Sequence, residues 1–209
     1  GDAALNHAAD LSPSQASLEK ATKLFVQGEY REAESLAKEL VNKNPRDVNA
    51  ALLLARIAIH AKVYEDAERI LREIIKIAPR FIVAWHDLGA TLKEQGKEEE
   101  ATSTLKEALK IDENNALTHY LYAASLALAG QTETAATYYK NAVQIQPSLV
   151  GAHVGLGHVL KTLGDQEGGI ASYRAAIALR PNLGEIYFSL SNLKTPFKHA
   201  HAHRYHRIA

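Results

Sequence analysis

A 34-residue clock is the feature that most limits what this chain can fold into. Pro45, Pro79, Pro147 and Pro181 keep it, and so do Gly28, Gly96, Gly130 and Gly164. Five places after the glycine column stand Ala33, Ala67, Ala101 and Ala135. Lys62 replaces the second glycine, and Gly169 replaces the last alanine. Independent columns sharing one period identify a repeat architecture, in which each unit is one supersecondary element stacked on the next.

Each unit holds two stretches with apolar residues at helical spacing, split by a short turn such as QGEYREA or QGKEEEA. In residues 82–115, Trp85, Leu88, Gly89 and Leu92 share one face of a first helix. After Gly96, Ala101, Leu105, Ala108 and Leu109 form the face of a second. Proline separates most units because it ends one helix and is tolerated at the start of the next. Ala21, Ala55, Gly89, Ala123, Gly157 and Ser191 fill the eighth place of successive units, and the twentieth place is small as well. Small residues let helix backbones approach, while Leu71, Leu105, Tyr139 and Tyr173 fill the space between them. One helix pair cannot bury such a face alone, so neighbours must stack.

The W-x2-L-G pattern of Trp85, Leu88 and Gly89, with Ala101 and the recurrent prolines, resembles the tetratricopeptide repeat. The resemblance covers five units, 14–47, 48–81, 82–115, 116–149 and 150–183, with a capping helix over 184–194. It implies an all-α fold, a right-handed αα superhelix of five helix–turn–helix repeats closed by a last helix. The organisation expected is a lead-in over 1–13, a repeat domain over 14–195 and a basic, histidine-rich tail over 196–209.

The same resemblance implies that first helices line a concave groove for a protein or peptide partner. Carried over, the groove takes Arg56, His60, His86 and Lys93 from the earlier units, then Tyr120, Leu121, His158 and Lys161, and Phe188 and Asn192 from the last helix. Glu19, Thr22, Phe25, Asn49, Leu52, Asp87, Ala90 and Glu94 fall on the same places. An apolar middle flanked by three cations suits a peptide with a buried anchor and some acidic character. Some of these side chains equally serve to pack one first helix against the next. Two specialisations within the family are missing their motifs. Place five holds Leu18, Leu52, His86, Tyr120 and Val154, not the lysine of the clamp for acidic chaperone tails. Place six holds Glu19, Leu53, Asp87, Leu121, Gly155 and Ser189, not the asparagine ladder of the N-acetylglucosaminyltransferase superhelix.

Catalytic patterns are absent: the sequence has no glycine-rich phosphate loop, no G-x-S-x-G elbow and no H-E-x-x-H helix. The four glutamates of KEQGKEEEAT span a turn and read as a solvated charge run. His119 and His153 share place four, where the family often carries a large aromatic, and without a third ligand they make a poor zinc site. No metal, cofactor or catalytic activity is expected. His199, His201, His203 and His206 alternate with Ala, Arg and Tyr in the tail. Such a tract binds metals adventitiously, and a segment appended during cloning or a disordered tail reads the same way.

With 24 basic and 24 acidic residues, no global field draws the chain to nucleic acid or membrane. Cysteine is absent, so disulfides and thiolate chemistry are excluded. No apolar run reaches the roughly 20 residues of a membrane span, and the amino terminus lacks a signal-peptide pattern. Starting at Gly1 without any methionine, the chain reads as processed or trimmed. A cytoplasmic protein is expected, with self-association through terminal repeats or tail left open.

The segment ALRPNLGEIYFSLSNLKT, residues 178–195, carries a second resemblance. It is similar to the junction after the last repeat in bacterial proteins that join tetratricopeptide repeats to a sulfotransferase domain. That likeness implies an amino-terminal module of a larger enzyme, separate from its catalytic part. The main expectation is a protein-binding scaffold.

Overall fold

The structure is a computed structural model and describes residues 12–194. Residues 1–11 and the tail with its four histidines lie outside the described residues. Eleven helices and no strand form the described chain. First helices of successive units are α1 (Pro13–Gln27), α3 (Val48–His60), α5 (Ile82–Glu94), α7 (Ala116–Leu128) and α9 (Val150–Thr162). Second helices are α2 (Tyr30–Lys43), α4 (Tyr64–Ile77), α6 (Glu98–Ile111), α8 (Thr132–Ile145) and α10 (Gln166–Leu179). The last helix, α11 (Gly184–Lys194), stands alone. The all-α fold expected from the repeat is therefore the fold observed.

Local chemistry sets the ends of these helices. Ser12 accepts from the Gln15 amide while the Gln15 side chain accepts from the Ser12 amide, a closed capping box at α1. Asp47 and Asn115 cap α3 and α7 in the same way from one side only. Every helix pair is joined by one device. Residues 28, 62, 96, 130 and 164 take positive φ, and the amide after each donates back to a carbonyl five residues earlier at 2.9 Å. This is the Schellman turn, which satisfies the orphan carbonyls of the first helix. Four of the five positions are glycine, which adopts that backbone without a Cβ clash. Lys62, at φ 60°, is the exception.

Two compact units divide the chain, one ending at Glu113 and the other starting at Asn114. The division falls at the repeat junction where glutamate replaces the recurrent proline. In the first unit, consecutive residues of α3 feed two different cores. Leu53 joins Ala21, Ala33, Ala37 and Ile57, whereas Leu52 joins Leu71, Leu88 and Leu92. A helix shared between two cores cannot be parted from either neighbour without exposing apolar surface, which costs about 25 cal/mol per Å2. In the second unit, Tyr173 closes a core with Ile186, Leu190 and Leu193.

The small columns do what their size implies. A Cβ added to Gly89 would lie 2.8 Å from Leu105 Cγ, and one on Gly157 would run into the ring of Tyr173. One on Gly155 would meet the ring of Tyr139 from the preceding repeat. At these two aromatic fillers, a facing position has lost its side chain altogether.

Candidate functional site

In the first unit α1, α3 and α5 lie side by side. Between α1 and α3 opens a cleft of about 840 Å3. Leu18, Phe25, Val26, Leu52 and Leu53 make its apolar lining, and Glu19, Thr22, Lys23, Asn49 and Arg56 supply the polar part. Val26 is 80% exposed, an unusual state for a valine within a helix.

Arg56 does not stand in this surface as a lone cation. Its Nε donates to Asp87 Oδ2 at 2.7 Å, tying α3 to α5. With the Arg56 side chain 45% exposed, the pair stabilises the fold by about 0.2–1 kcal/mol. The four other N–H donors of a guanidinium are on its terminal nitrogens. His60 belongs to an aromatic cluster: its ring stacks on Tyr30 at 3.9 Å and meets Phe25 edge-on at 6.2 Å. His86 is only 7% exposed, so it sits below the surface that the repeat pattern assigns it to. Burial pushes its pKa down, with the charges of Asp87 and Asp112 opposing. Lys93 and Ala90 on α5 are exposed.

In the second unit the candidate surface is built on glycines. A Cβ at Gly151 would sit 3.1 Å from the ring of Tyr120, so the half-buried Tyr120 on α7 packs against the bare backbone of α9. Tyr120 also leans on Tyr139, 6.1 Å between centroids, whose buried hydroxyl is pushed up to about 12. Leu121 is half-buried, while Lys161, Asn192 and Phe188 are exposed. His158 meets Tyr173 edge-on at 5.4 Å. Partial shelter of its ring, followed by the Lys161 charge, lowers the His158 pKa, and Glu185 opposes. These residues offer rings, short aliphatic surfaces and separated charges, a set suited to docking a chain.

The two place-four histidines act as aromatic substitutes. Trp85 Nε1 donates to the Pro79 carbonyl at 2.8 Å, and His153 Nε2 makes the equivalent 2.8 Å bond to Pro147. A carbonyl only accepts, so the His153 proton is on Nε2. His119 stacks on Tyr138 at 5.7 Å. Among the described residues no group of three or more His, Cys, Asp or Glu could hold a metal ion. No described helix is long and apolar enough to cross a membrane.

Lys23, Val26 and Leu53 line the cleft without having been singled out by the repeat pattern. Val26 shares place thirteen with His60, which is the signal that would have found it. Away from the cleft, Glu68 on α4 gathers Lys97 at 2.7 Å, Arg72 at 2.8 Å and Gln95 at 2.9 Å. The i,i+4 spacing on α4 points to the Arg72 arm of that hub, but not to Lys97 or Gln95.

Family models described as tetratricopeptide repeat match residues 24–92, and also 82–115 and 150–183, together more than half of the chain. The chain belongs to the tetratricopeptide-repeat family. Its repeats superpose on solved tetratricopeptide structures at low identity. A thermophilic tetratricopeptide-repeat protein of Thermus thermophilus aligns at TM-score 0.70 and 20% identity, covering 87% of this chain and 98% of that one. PilW, described as a type IV pilus biogenesis factor, aligns at TM-score 0.78 and 18% identity over 88% and 87%. YrrB, described as having an unusual peptide-binding site, aligns at TM-score 0.65 and 15% identity over 84% and 90%. At these identities the likeness is one of fold. No curated protein matches the chain.

Proposed function

We propose that this tetratricopeptide-repeat protein is a binding scaffold whose first helices hold an extended segment of a protein partner. An apolar side chain of that segment anchors in the cleft between α1 and α3. The observation that carries the reading is the cleft itself, where Leu18, Phe25, Val26 and Leu52 form an apolar lining beside the Arg56 guanidinium and the Asn49 amide. Apolar anchor, charge and backbone-pairing amide are the three things a peptide site supplies. Arg56 and Lys93 favour a segment with acidic residues near its anchor. The reading goes with a cytoplasmic protein that binds and does not catalyse.

Peptides selected from a random library on the 209-residue chain give the test. Selected sequences are expected to share an apolar anchor next to Asp or Glu. The double variant Arg56→Ala, Lys93→Ala is expected to weaken their binding more than about tenfold by calorimetry, with an unchanged circular dichroism spectrum. Unchanged affinity would put the partner elsewhere.

A second reading rests on residues 178–195 and their similarity to the junction of sulfotransferase fusions. There the repeats are the non-catalytic module of a sulfotransferase-like enzyme, recruiting its substrate protein. An R-S-G-T loop encoded downstream in the gene supports it, and a stop codon soon after residue 209 sinks it.

A further inference from the structure

The two most exposed large apolar side chains in the described residues belong to the two ends of the repeat series: Val26 on α1 at 80% and Phe188 on α11 at 70%. Each has a structural reason. Val26 borders the 840 Å3 cleft of the first unit, which has no helix before α1 to narrow it among the described residues. Phe188 occupies place five of α11, a place that is buried at Leu52 and His86 and half-buried at Tyr120 and Val154. Beside it Tyr187 is 48% exposed, although His119 and His153, at the same place, are buried. Ser191 is exposed where the eighth place is otherwise covered. So α11 presents a protruding aromatic on a bare helix face, and α1 with α3 presents an apolar hollow.

Charge completes the fit. Glu185 precedes Phe188 by three residues, which puts both on one side of α11. Lys23 and Arg56 line the cleft that would receive them. Glu19 also lines the cleft, and Lys161 and Glu185 act on His158 in opposite directions. A hollow and a knob of complementary charge, on different parts of one chain, make a heterologous contact between copies.

We propose that the occupant of the α1–α3 cleft is α11 of a second copy of this chain, with Phe188 inserted beside Val26 and Glu185 facing Lys23 and Arg56. Each copy carries both halves, so the contact joins copies of the chain into oligomers. The cleft is then shared between a second copy and the peptide proposed above, and self-association weakens peptide capture as concentration rises. The two proposals are separable, since peptide binding is measured at concentrations where the chain is monomeric.

Sedimentation of the full 209-residue chain over a concentration series tests it. The wild type is expected to rise in average mass with concentration, and Val26→Asp and Phe188→Asp are each expected to stay monomeric. Both side chains are mostly exposed, so neither substitution removes core packing. Mixed in equal amounts, the two variants retain one intact hollow and one intact knob between them, and the mixture is expected to stop at a dimer. As a check that does not touch the apolar contact, Lys23→Glu is expected to weaken association about tenfold, and Glu185→Lys in the same chain to restore it. A monomeric wild type, association that survives either aspartate, or a mixture that stays monomeric overturns the proposal. The last result would assign the cleft to a peptide or another protein alone.

Discussion

Arg56 Nε lies 2.7 Å from Asp87 Oδ2, which couples a cation of one first helix to an anion of the next. The pair holds the guanidinium at the border of the cleft and at the same time offsets the charge it offers a partner. Asp87→Asn is therefore expected to change stability by less than about 1 kcal/mol and to strengthen binding of acidic peptides. Urea denaturation and peptide titration read the two effects separately. Weaker binding would mean that Asp87 orients Arg56 more than it neutralises it.

Gly157 and Tyr173 are fitted to one another. Gly157→Ala is expected to destabilise the second unit by about 1–3 kcal/mol through overpacking, because the fully buried ring has no free space to move into. Combining it with Tyr173→Leu reproduces the pair found three repeats earlier at Ala55 and Leu71, and is expected to recover part of the loss. Thermal unfolding of the four proteins in this cycle gives the coupling. Strictly additive effects would refute the fit.

At Lys62 the turn takes φ 60° with a side chain, where the other four copies use glycine. Lys62→Gly is expected to stabilise the first unit by about 1 kcal/mol by removing the left-handed strain. The reciprocal change, Gly96→Lys, is expected to cost a similar amount. Denaturation midpoints check both.

Glu68 carries the acid sensitivity. Its hydrogen bond from Lys97 comes first among the causes that lower its pKa from 4.5 to about 2, with burial opposing. A carboxyl held lower in the folded state than in the unfolded one stabilises fully above the unfolded value and loses that effect as pH falls through the folded one. The contribution is thus complete above about 4.5 and fades toward 2. Glu68→Gln is expected to cost about 1–2 kcal/mol at pH 7 and to flatten the fall in stability between pH 4.5 and pH 2. An equally steep fall in the variant would move the sensitivity to other carboxylates.

The helix pairs were legible because they rest on short-range rules that a period multiplies. Proline, glycine and alanine each mark a local necessity, and the recurrence of all three at one interval sets helix, turn and helix. Even the exception at Lys62 showed as a gap in the glycine column. The surface was less legible because its chemistry depends on which side chains meet across a turn of the stack. Arg56 and Asp87 are 31 residues apart, and nothing in either local pattern links them. His86 shares place five with Tyr120, yet it is buried where Tyr120 is only half-buried. The missing side chains at Gly151 and Gly155 gain their meaning only from the tyrosines of the preceding repeat.

Amide chemical shifts of the labelled chain, titrated with a selected peptide below the concentration at which copies associate, test the central claim most directly. The largest changes are expected on the first helices, centred on Leu18, Asn49 and Arg56 around the α1–α3 cleft. Changes confined to the second helices, or spread without a centre, would contradict the account.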